Sequence, residues 1–599
     1  VIKPAIGSLT FPFKASSPAA RTEIRLQTDR FDANFAAGMA KTRRGTASTV
    51  QADDSLQGGE PMVEVVAPEL QRKKSARLRA FVVSAVLFNV VGCGARKDDD
   101  FAPNVSRRTL RFNSARWPSF STTLQAAPPA PGDSQRPADF PPILADWPTP
   151  RPDVVLVFTG EMLGYMKPCG CSPGQHGGLA RRAGFLKFLR EEKKWPTLPV
   201  ELGDLIAPTK LLENDRYKYS LRALHRMGYP ALGVGPEDLK LGVTHVLAWT
   251  RNLTQIRFLA ANLRHNDEDL SALMAENLAR AVVEEIEGTK VGLACVIGDA
   301  FQGKLGDPDL GVTDAVGAAR DAADQLETAG AHLKVLLTHM SFDEALKLAK
   351  DCSDYDLVVC RSTFDDSGNE VARIVDETMI TWVGRKGKSA GVVGFWKTGN
   401  PRLRFEVVPI DVRFKEDPTV DAVYADYVDA IKRAGFIDRW SRKSVPDEDE
   451  FVGDEACRNC HNQKKTPIYD HWKQTGHAHA LETLEKKSVP PGQDFNPECV
   501  GCHVVGFGFE TGYRSVKETA YLAGVQCESC HGPGGKHAAE ENEKDKDEPK
   551  LFRPPKFPDA KSIETLCLSC HDAENDLDFD FFRDYAKVIH PGSKMPAKK

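Results

Sequence analysis

The chain lacks a dominant charge. Its 79 basic and 84 acidic side chains leave a net charge of -5 over 599 residues. That balance carries no signature of a nucleic-acid binder, and it identifies no partner. A membrane-spanning run is missing from the apolar stretch of the first third, because Ala80–Val91 holds only 12 residues where a spanning helix needs about 20. Methionine is nearly absent from the last quarter, Met595 being the only one after Cys457. Any soft metal ligand there must therefore come from other side chains. A single core is excluded by length, so two or three domains are expected.

What the last quarter does contain is Cys-x-x-Cys-His, four times: Cys457-x-x-Cys460-His461, Cys499-x-x-Cys502-His503, Cys527-x-x-Cys530-His531 and Cys567-x-x-Cys570-His571. Two thiols at this spacing form thioethers to the vinyl groups of one haem, and the adjacent imidazole meets the iron from the proximal side. With Cys and His each at a few per cent, chance supplies roughly 0.01 such motifs in a chain of this length. Zinc ribbons and disulfide frameworks also use Cys-x-x-Cys, but neither needs a histidine directly after each pair. Nine of the 15 histidines lie between Cys457 and Lys599. Beyond the four proximal ones, His471, His477, His479, His537 and His590 remain as distal candidates. With Met595 alone, His/Met ligation serves one haem at most, and mostly histidine ligation favours low or middling potentials.

The order of these motifs resembles a family. Gly453-Asp-Glu-Ala-Cys-Arg-Asn-Cys-His461, Trp472-Lys-Gln-Thr-Gly-His477-Ala, Cys499-Val-Gly-Cys-His-Val-Val-Gly506 and Gly524-Val-Gln-Cys-Glu-Ser-Cys-His-Gly-Pro-Gly534 followed by His537 resemble the tetrahaem cytochrome c-554 family. Its members shuttle electrons in ammonia-oxidising bacteria. The resemblance covers about residues 451–599 and implies four covalent haem c groups, with His477, His537 and His590 as distal ligands and one haem five-coordinate. His479 competes with His477, and His471 is expected on a helix surface. Which histidine serves which iron stays open at this level. A segment of this size around four haems is expected to be mainly helical, with porphyrin as its interior.

The first third reads as an address. Gln71–Arg79 is basic, Ala80–Val91 apolar, and Val90-Val91-Gly92-Cys93 resembles a lipobox whose Cys93 is acylated after export. Haem c attachment also requires export. Residues 1–61 show no apolar period and are expected to be disordered or an over-extended start, with Met62 opening the signal 62–93. The stretch 94–152 is Pro-rich and suits a tether. Location on the periplasmic side, with a lipid anchor to a bacterial membrane, follows as the expectation.

From 153 to 440 short apolar runs alternate with helical segments, the pattern of an α/β domain with buried strands. Met379–Val383, Gly391–Trp396 and Leu403–Val408 are expected to close it as antiparallel strands. The stretch resembles the N-terminal domain of 5′-nucleotidases and other calcineurin-like metallophosphoesterases, which implies a four-layer sandwich. The metal motifs of that family are worn down here. The first reads Thr159-Gly-Glu161-Met-Leu163, the second keeps Gly203-Asp204, the third reads Gly235-Pro-Glu-Asp238, His339 fits the lone histidine, and the last reads Val359-Cys-Arg-Ser-Thr-Phe364. Loss of hydrolase chemistry is expected. Cys169, Cys171 and His176 on a Gly-rich loop, with Glu161, Asp204 and His339, form a candidate transition-metal set; a disulfide or buried thiols are the alternative. Gly177-Gly178 opens a helix, and an anion site there would use Arg181 and Arg182, which otherwise form a solvated face.

The sequence thus predicts an exported tetrahaem cytochrome that carries electrons between redox proteins. Two further readings compete with it. In one, a five-coordinate haem acts on a small nitrogen compound, although the Cys-x-x-Cys-Lys of pentahaem nitrite reductases is missing. In the other, the α/β domain keeps a residual metal-dependent activity.

Overall fold

The computed structural model describes residues 142–168, 175–207, 212–362, 372–382, 384–486, 493–542, 559–572, 575–576 and 578–596. All of these fall within one compact unit, Phe120–Lys599. The signal with Cys93, most of the tether, and Cys169 and Cys171 lie outside the described residues.

The strands of the α/β region are β1 (Val154–Thr159), β2 (Thr197–Glu201), β3 (Ala231–Gly233), β4 (Arg257–Leu259), β5 (Leu263–His265), β6 (Ala281–Ile286), β7 (Thr289–Ile297), β8 (Leu310–Val312), β9 (Leu333–His339), β10 (Leu357–Cys360), β11 (Ala372–Val375), β12 (Thr378–Trp382), β13 (Ser389–Phe395) and β14 (Leu403–Pro409). Two six-stranded mixed sheets form, in the orders β14-β13-β1-β2-β3-β4 and β11-β12-β10-β9-β7-β6, and β5 pairs with β8 apart from them.

Period-two patterning explains how the layers stack. On β1, Val154, Leu156 and Phe158 enter a core shared with Leu333, Val335 and Leu337 of β9 and with Leu357 and Val359 of β10. The alternate side chains Val155 and Val157 turn to a second core, lined by helices α1 (Leu179–Lys187) and α2 (Glu213–Met227). Three further helices follow, α3 (Pro236–Leu239), α4 (Val243–Asn252) and α5 (Glu268–Asn277). The outer face of the second sheet, with Leu336, Val358 and Cys360, is covered by α6 (Ala315–Thr328) and α7 (Phe342–Asp351). Each sheet therefore has a buried inner face and a helix-covered outer face, an αββα arrangement. Fully burying each such Val or Leu is worth about 1.5–3 kcal/mol. On the β1–β13 border Phe158 pairs with Gly391, where an added Cβ would lie 2.2 Å from the Phe158 ring.

One expected pairing differs. β13 and β14 are antiparallel to their neighbours, as expected, but β12 pairs parallel with β10 in the other sheet. The cause is β11, which the apolar pattern did not reveal: it forms an antiparallel pair with β12, and that reversal brings β12 back in the direction of β10. The hairpin of β6 with β7 also escaped the sequence reading.

Helix α8 (Pro418–Ala434) ends the domain. Asp417 caps its first turn by accepting from the backbone N–H groups of Thr419 and Val420, and Gly435 stops it with a left-handed φ of 59°. Short helices follow: α9 (Asp454–His461), α10 (Ile468–Lys473), α11 (Ala480–Lys486), α12 (Pro497–His503), α13 (Val516–Thr519), α14 (Cys527–His531), α15 (Gly535–Asn542), α16 (Ala560–Cys567) and α17 (Phe581–Tyr585). Their apolar core is small: Ile437, Val445, Phe451, Leu481, Leu484, Val500, Val504, Val505, Tyr513 and Leu522. After Leu522, Phe581 is the one buried hydrophobic among the described residues. Among those residues no helix is long and apolar enough to cross a membrane.

Candidate functional site: the Cys-x-x-Cys-His centres

Three of the four motifs lie wholly on helices: Cys457–His461 on α9, Cys499–His503 on α12 and Cys527–His531 on α14. Cysteines three apart and a histidine four apart then share one helix face, which lets one planar group meet all three side chains. The fourth motif begins at the end of α16 and finishes in a turn at His571.

A carboxylate and a carboxamide beside the third motif hold the first in place. Glu528, 4% exposed, accepts from the backbone N–H groups of Val452, Gly453 and Gly534. Gln526 accepts from Asp454 N at 2.9 Å. Burial pushes the Glu528 carboxyl up, and the three N–H donors oppose that shift. The first two of those donors sit directly before α9, so α9 and α14 are fastened together, and Cys457 adjoins Cys527. Likewise Cys502 of the second motif adjoins Cys570 of the fourth. Neither Glu528 nor Gln526 was singled out from the sequence, although both stand inside the run that carried the resemblance.

The histidine rings fall into facing pairs. His531 and His590 have ring centroids 5.7 Å apart, and His477 and His571 6.1 Å apart. Two imidazoles on opposite sides of one metal ion, at bonds of about 2 Å each, have centroids about 6 Å apart. The separation therefore fits a shared iron. Two proximal rings are oriented through Nδ1: His503 donates to Ala480 O at 2.7 Å, and His571 to Asp576 Oδ2 at 2.8 Å. Each keeps Nε2 for a metal, the usual role of such a partner. Burial lowers the pKa of His477, His503 and His590, aided by neighbouring histidines, which favours the neutral ligand form.

The other histidines are placed as follows. His537 stands on α15, which Gly535 N to Glu450 O and Lys536 N to Asp449 Oδ1 fasten beside the chain leading into α9 and His461. His479 has Nδ1 on Glu482 and Nε2 on Lys473 O, both at 3.1 Å, so both ring nitrogens are engaged away from any proximal histidine. His471, expected at a helix surface, is instead half-buried on α10, with its Nε2 enclosed and without a hydrogen-bond partner. Met595 is exposed.

With this geometry in view, the likeness to known proteins is direct. Residues 456–532 match the model of the family described as Cytochrome c554 and c-prime. Residues 456–532 are therefore similar to the cytochrome c554 family. Cytochrome c-554 of Nitrosomonas europaea is 38% identical over 105 residues, which cover 16% of this chain and 43% of that protein. The chain thus spans less than half the length of this curated relative. The αββα domain resembles solved phosphoesterase structures. A 5′-nucleotidase precursor from Thermus thermophilus aligns with 62% of this chain and 73% of its own at 17% identity and a TM-score of 0.42. A calcineurin-like phosphoesterase from Bacillus subtilis aligns with 47% and 98% at 14% identity and a TM-score of 0.38.

In the αββα domain the candidate metal residues are held by protein groups. Glu161, with a left-handed φ of 45°, accepts from Arg361 at 3.0 Å and from Ser362 N at 2.7 Å, and Arg385 approaches to 3.7 Å. Burial raises its pKa, and Arg361 acts against that shift. Asp204 accepts from Glu237 N at 2.7 Å and faces His339 Nδ1 at 3.5 Å, while His339 Nε2 donates to Leu202 O at 2.9 Å. Burial opposes the charge of His339, yet Asp204 lifts its pKa to about 10. His176 is half-buried near the start of α1. Among the described residues no three His, Cys, Asp or Glu side chains converge as a metal site.

The arginine pair is also committed elsewhere. Arg182, expected to be either an anion ligand or solvated, is 1% exposed and pairs with Glu201 at 2.9 Å, while Arg181 bonds Gln175 O and Glu416.

Proposed function

We propose that this is an exported c-type cytochrome with four covalent haems that passes electrons between redox proteins on the periplasmic side of a bacterial membrane, held there by a lipid on Cys93. The single observation that carries this reading is that two of the four Cys-x-x-Cys-His motifs meet facing histidines, His531 with His590 and His571 with His477. Haem, when bound, supplies a one-electron ferric/ferrous couple. The chain's part is to hold each ring by two thioethers, to ligate with His461, His503, His531 and His571, and to close the far side with His590, His477 and, for His461, His537. The adjoining of Cys457 with Cys527 and of Cys502 with Cys570 supports close packing of first with third and second with fourth groups. In this assignment the His503 iron has no distal histidine, and outer-sphere transfer between packed haems does not use its open side.

The αββα domain acts in this reading as a scaffold of phosphoesterase-like fold without hydrolase chemistry. Its Glu161 pairs with Arg361 at 3.0 Å.

A second reading is favoured by one observation. The two facing pairs serve His531 and His571, and with His537 assigned to His461 no distal histidine is left for His503. An iron held by His503 with its far side open would bind a small nitrogen or oxygen compound. Electron paramagnetic resonance of the holoprotein, with haem quantified on the same sample, separates the two. Ferric signals that nitric oxide and hydroxylamine leave unchanged support the carrier alone. One high-spin equivalent that shifts with nitric oxide or hydroxylamine supports the open iron. Less than one haem per motif would sink both.

A further inference from the structure

The second motif differs from the other three in its neighbours. Its helix, α12, is gripped at the first turn by the αββα domain. Arg216 of α2, 12% exposed, forms an ion pair with Glu498, the residue directly before Cys499. The same guanidinium donates through Nε to the Tyr427 hydroxyl of α8 at 3.3 Å. Tyr427 is 3% exposed and packs against Tyr424 and Tyr219 at centroid distances of 5.8 and 5.7 Å. Gln493, in the segment leading to α12, reaches the Tyr424 hydroxyl at 3.4 Å. Phe495 packs against the cores of both regions, and Lys432 of α8 lies over its ring at 4.9 Å. Asn496 then caps α12 through Glu498 N.

A charge so near a redox centre biases it. Reduction adds one electron, so a cation beside the centre favours the reduced form and an anion the oxidised form. Arg216 is largely buried while Glu498 is 40% exposed, so water and salt screen the anion more than the cation. Here one charge of each sign is paired next to Cys499, and the partner that holds the cation belongs to the other domain. Burial, hydrogen bonding and nearby charge are the levers by which a protein sets a haem potential.

We propose that the αββα domain tunes the haem carried by Cys499, Cys502 and His503 through the Arg216–Glu498 pair, with Tyr427 positioning Arg216; this rests on the haem reading above. This gives the fusion of the two domains a physical purpose: the αββα domain regulates one step of the electron path.

The test is a redox titration of the full-length holoprotein, followed by visible absorption and electron paramagnetic resonance, in the wild type, Arg216→Gln, Glu498→Gln and the double variant. Haem on the 497–503 peptide is verified by mass spectrometry. One midpoint potential is expected to fall in Arg216→Gln, to rise in Glu498→Gln and to return toward the wild type in the double variant, while the others hold. Tyr427→Phe keeps every charge and is expected to shift the same midpoint in the direction of Arg216→Gln, by less. Unchanged midpoints overturn the proposal, as do shifts of the same sign in the two single variants, which is what loosened packing alone produces. Absence of haem mass on the wild-type peptide overturns the underlying reading instead.

Discussion

The rings of His531 and His590 face each other at 5.7 Å. This contact joins the third motif to the C-terminal segment that holds α17. That segment has little other reason to stay folded, since Phe581 is its one buried hydrophobic among the described residues. A shared iron would supply what apolar packing does not. The pair of His477 with His571 does the same for the turn after α10.

If these pairs share irons, removing the distal member must open one site at a time. His590→Ala and His477→Ala are each expected to convert one low-spin haem to high spin, and His479→Ala none, because both His479 nitrogens are already bonded elsewhere. Electron paramagnetic resonance of the three variants reads this directly. A spin change in His479→Ala together with silence in His477→Ala would reverse the assignment.

Asp204, in the loop after β2 of one sheet, faces His339 at the end of β9 of the other, with neither side chain exposed. The His339 pKa is raised to about 10, so its contribution to stability is complete below the ordinary histidine range and is lost as pH rises through about 10. Asp204 is lowered against the cost of burial, so its share is present above the ordinary carboxylate range and lost on acidification. Thermal unfolding across pH should show a plateau between these limits. In Asp204→Asn the alkaline loss should vanish, at a cost of about 3–5 kcal/mol for breaking a buried pair.

Arg182 and Glu201 form a buried pair that also engages Thr159. Arg182→Met leaves the Glu201 carboxylate buried without its cation and is expected to cost about 3–5 kcal/mol in urea unfolding. The double variant Arg182→Met with Glu201→Gln should recover much of the loss, because desolvation no longer falls on an unpaired charge. No recovery would mean that Arg182 acts mainly through packing.

Gly391 leaves room for Phe158, and Gly391→Ala brings a methyl to 2.2 Å from the ring. Overpacking of this kind costs about 1–3 kcal/mol. A lower melting temperature with unchanged haem spectra is expected, since the strain lies in the αββα domain.

The fold was legible where a side-chain period exposes a burial pattern. β1, β2, β9 and β10 stand out as apolar runs between helices, because each has both faces covered. β11 was not legible, with Arg373 and Ile374 exposed on it, and without β11 the direction of β12 could not be derived. The environment of Arg182 was hidden for a related reason. Its helix period marks a face, but not that Glu201 arrives on that face from another strand.

By itself the sequence determined the covalent chemistry: four Cys-x-x-Cys-His motifs are local, and their function needs only adjacent residues on one turn of chain. It also narrowed the remaining histidines to a short set. Only the tertiary structure decided which of them stand opposite one another, that Glu528 binds the first motif to the third, and that Arg216 reaches Glu498 from another domain. These are contacts between residues far apart in the chain, and loop paths and packing, not local spacing, bring them together.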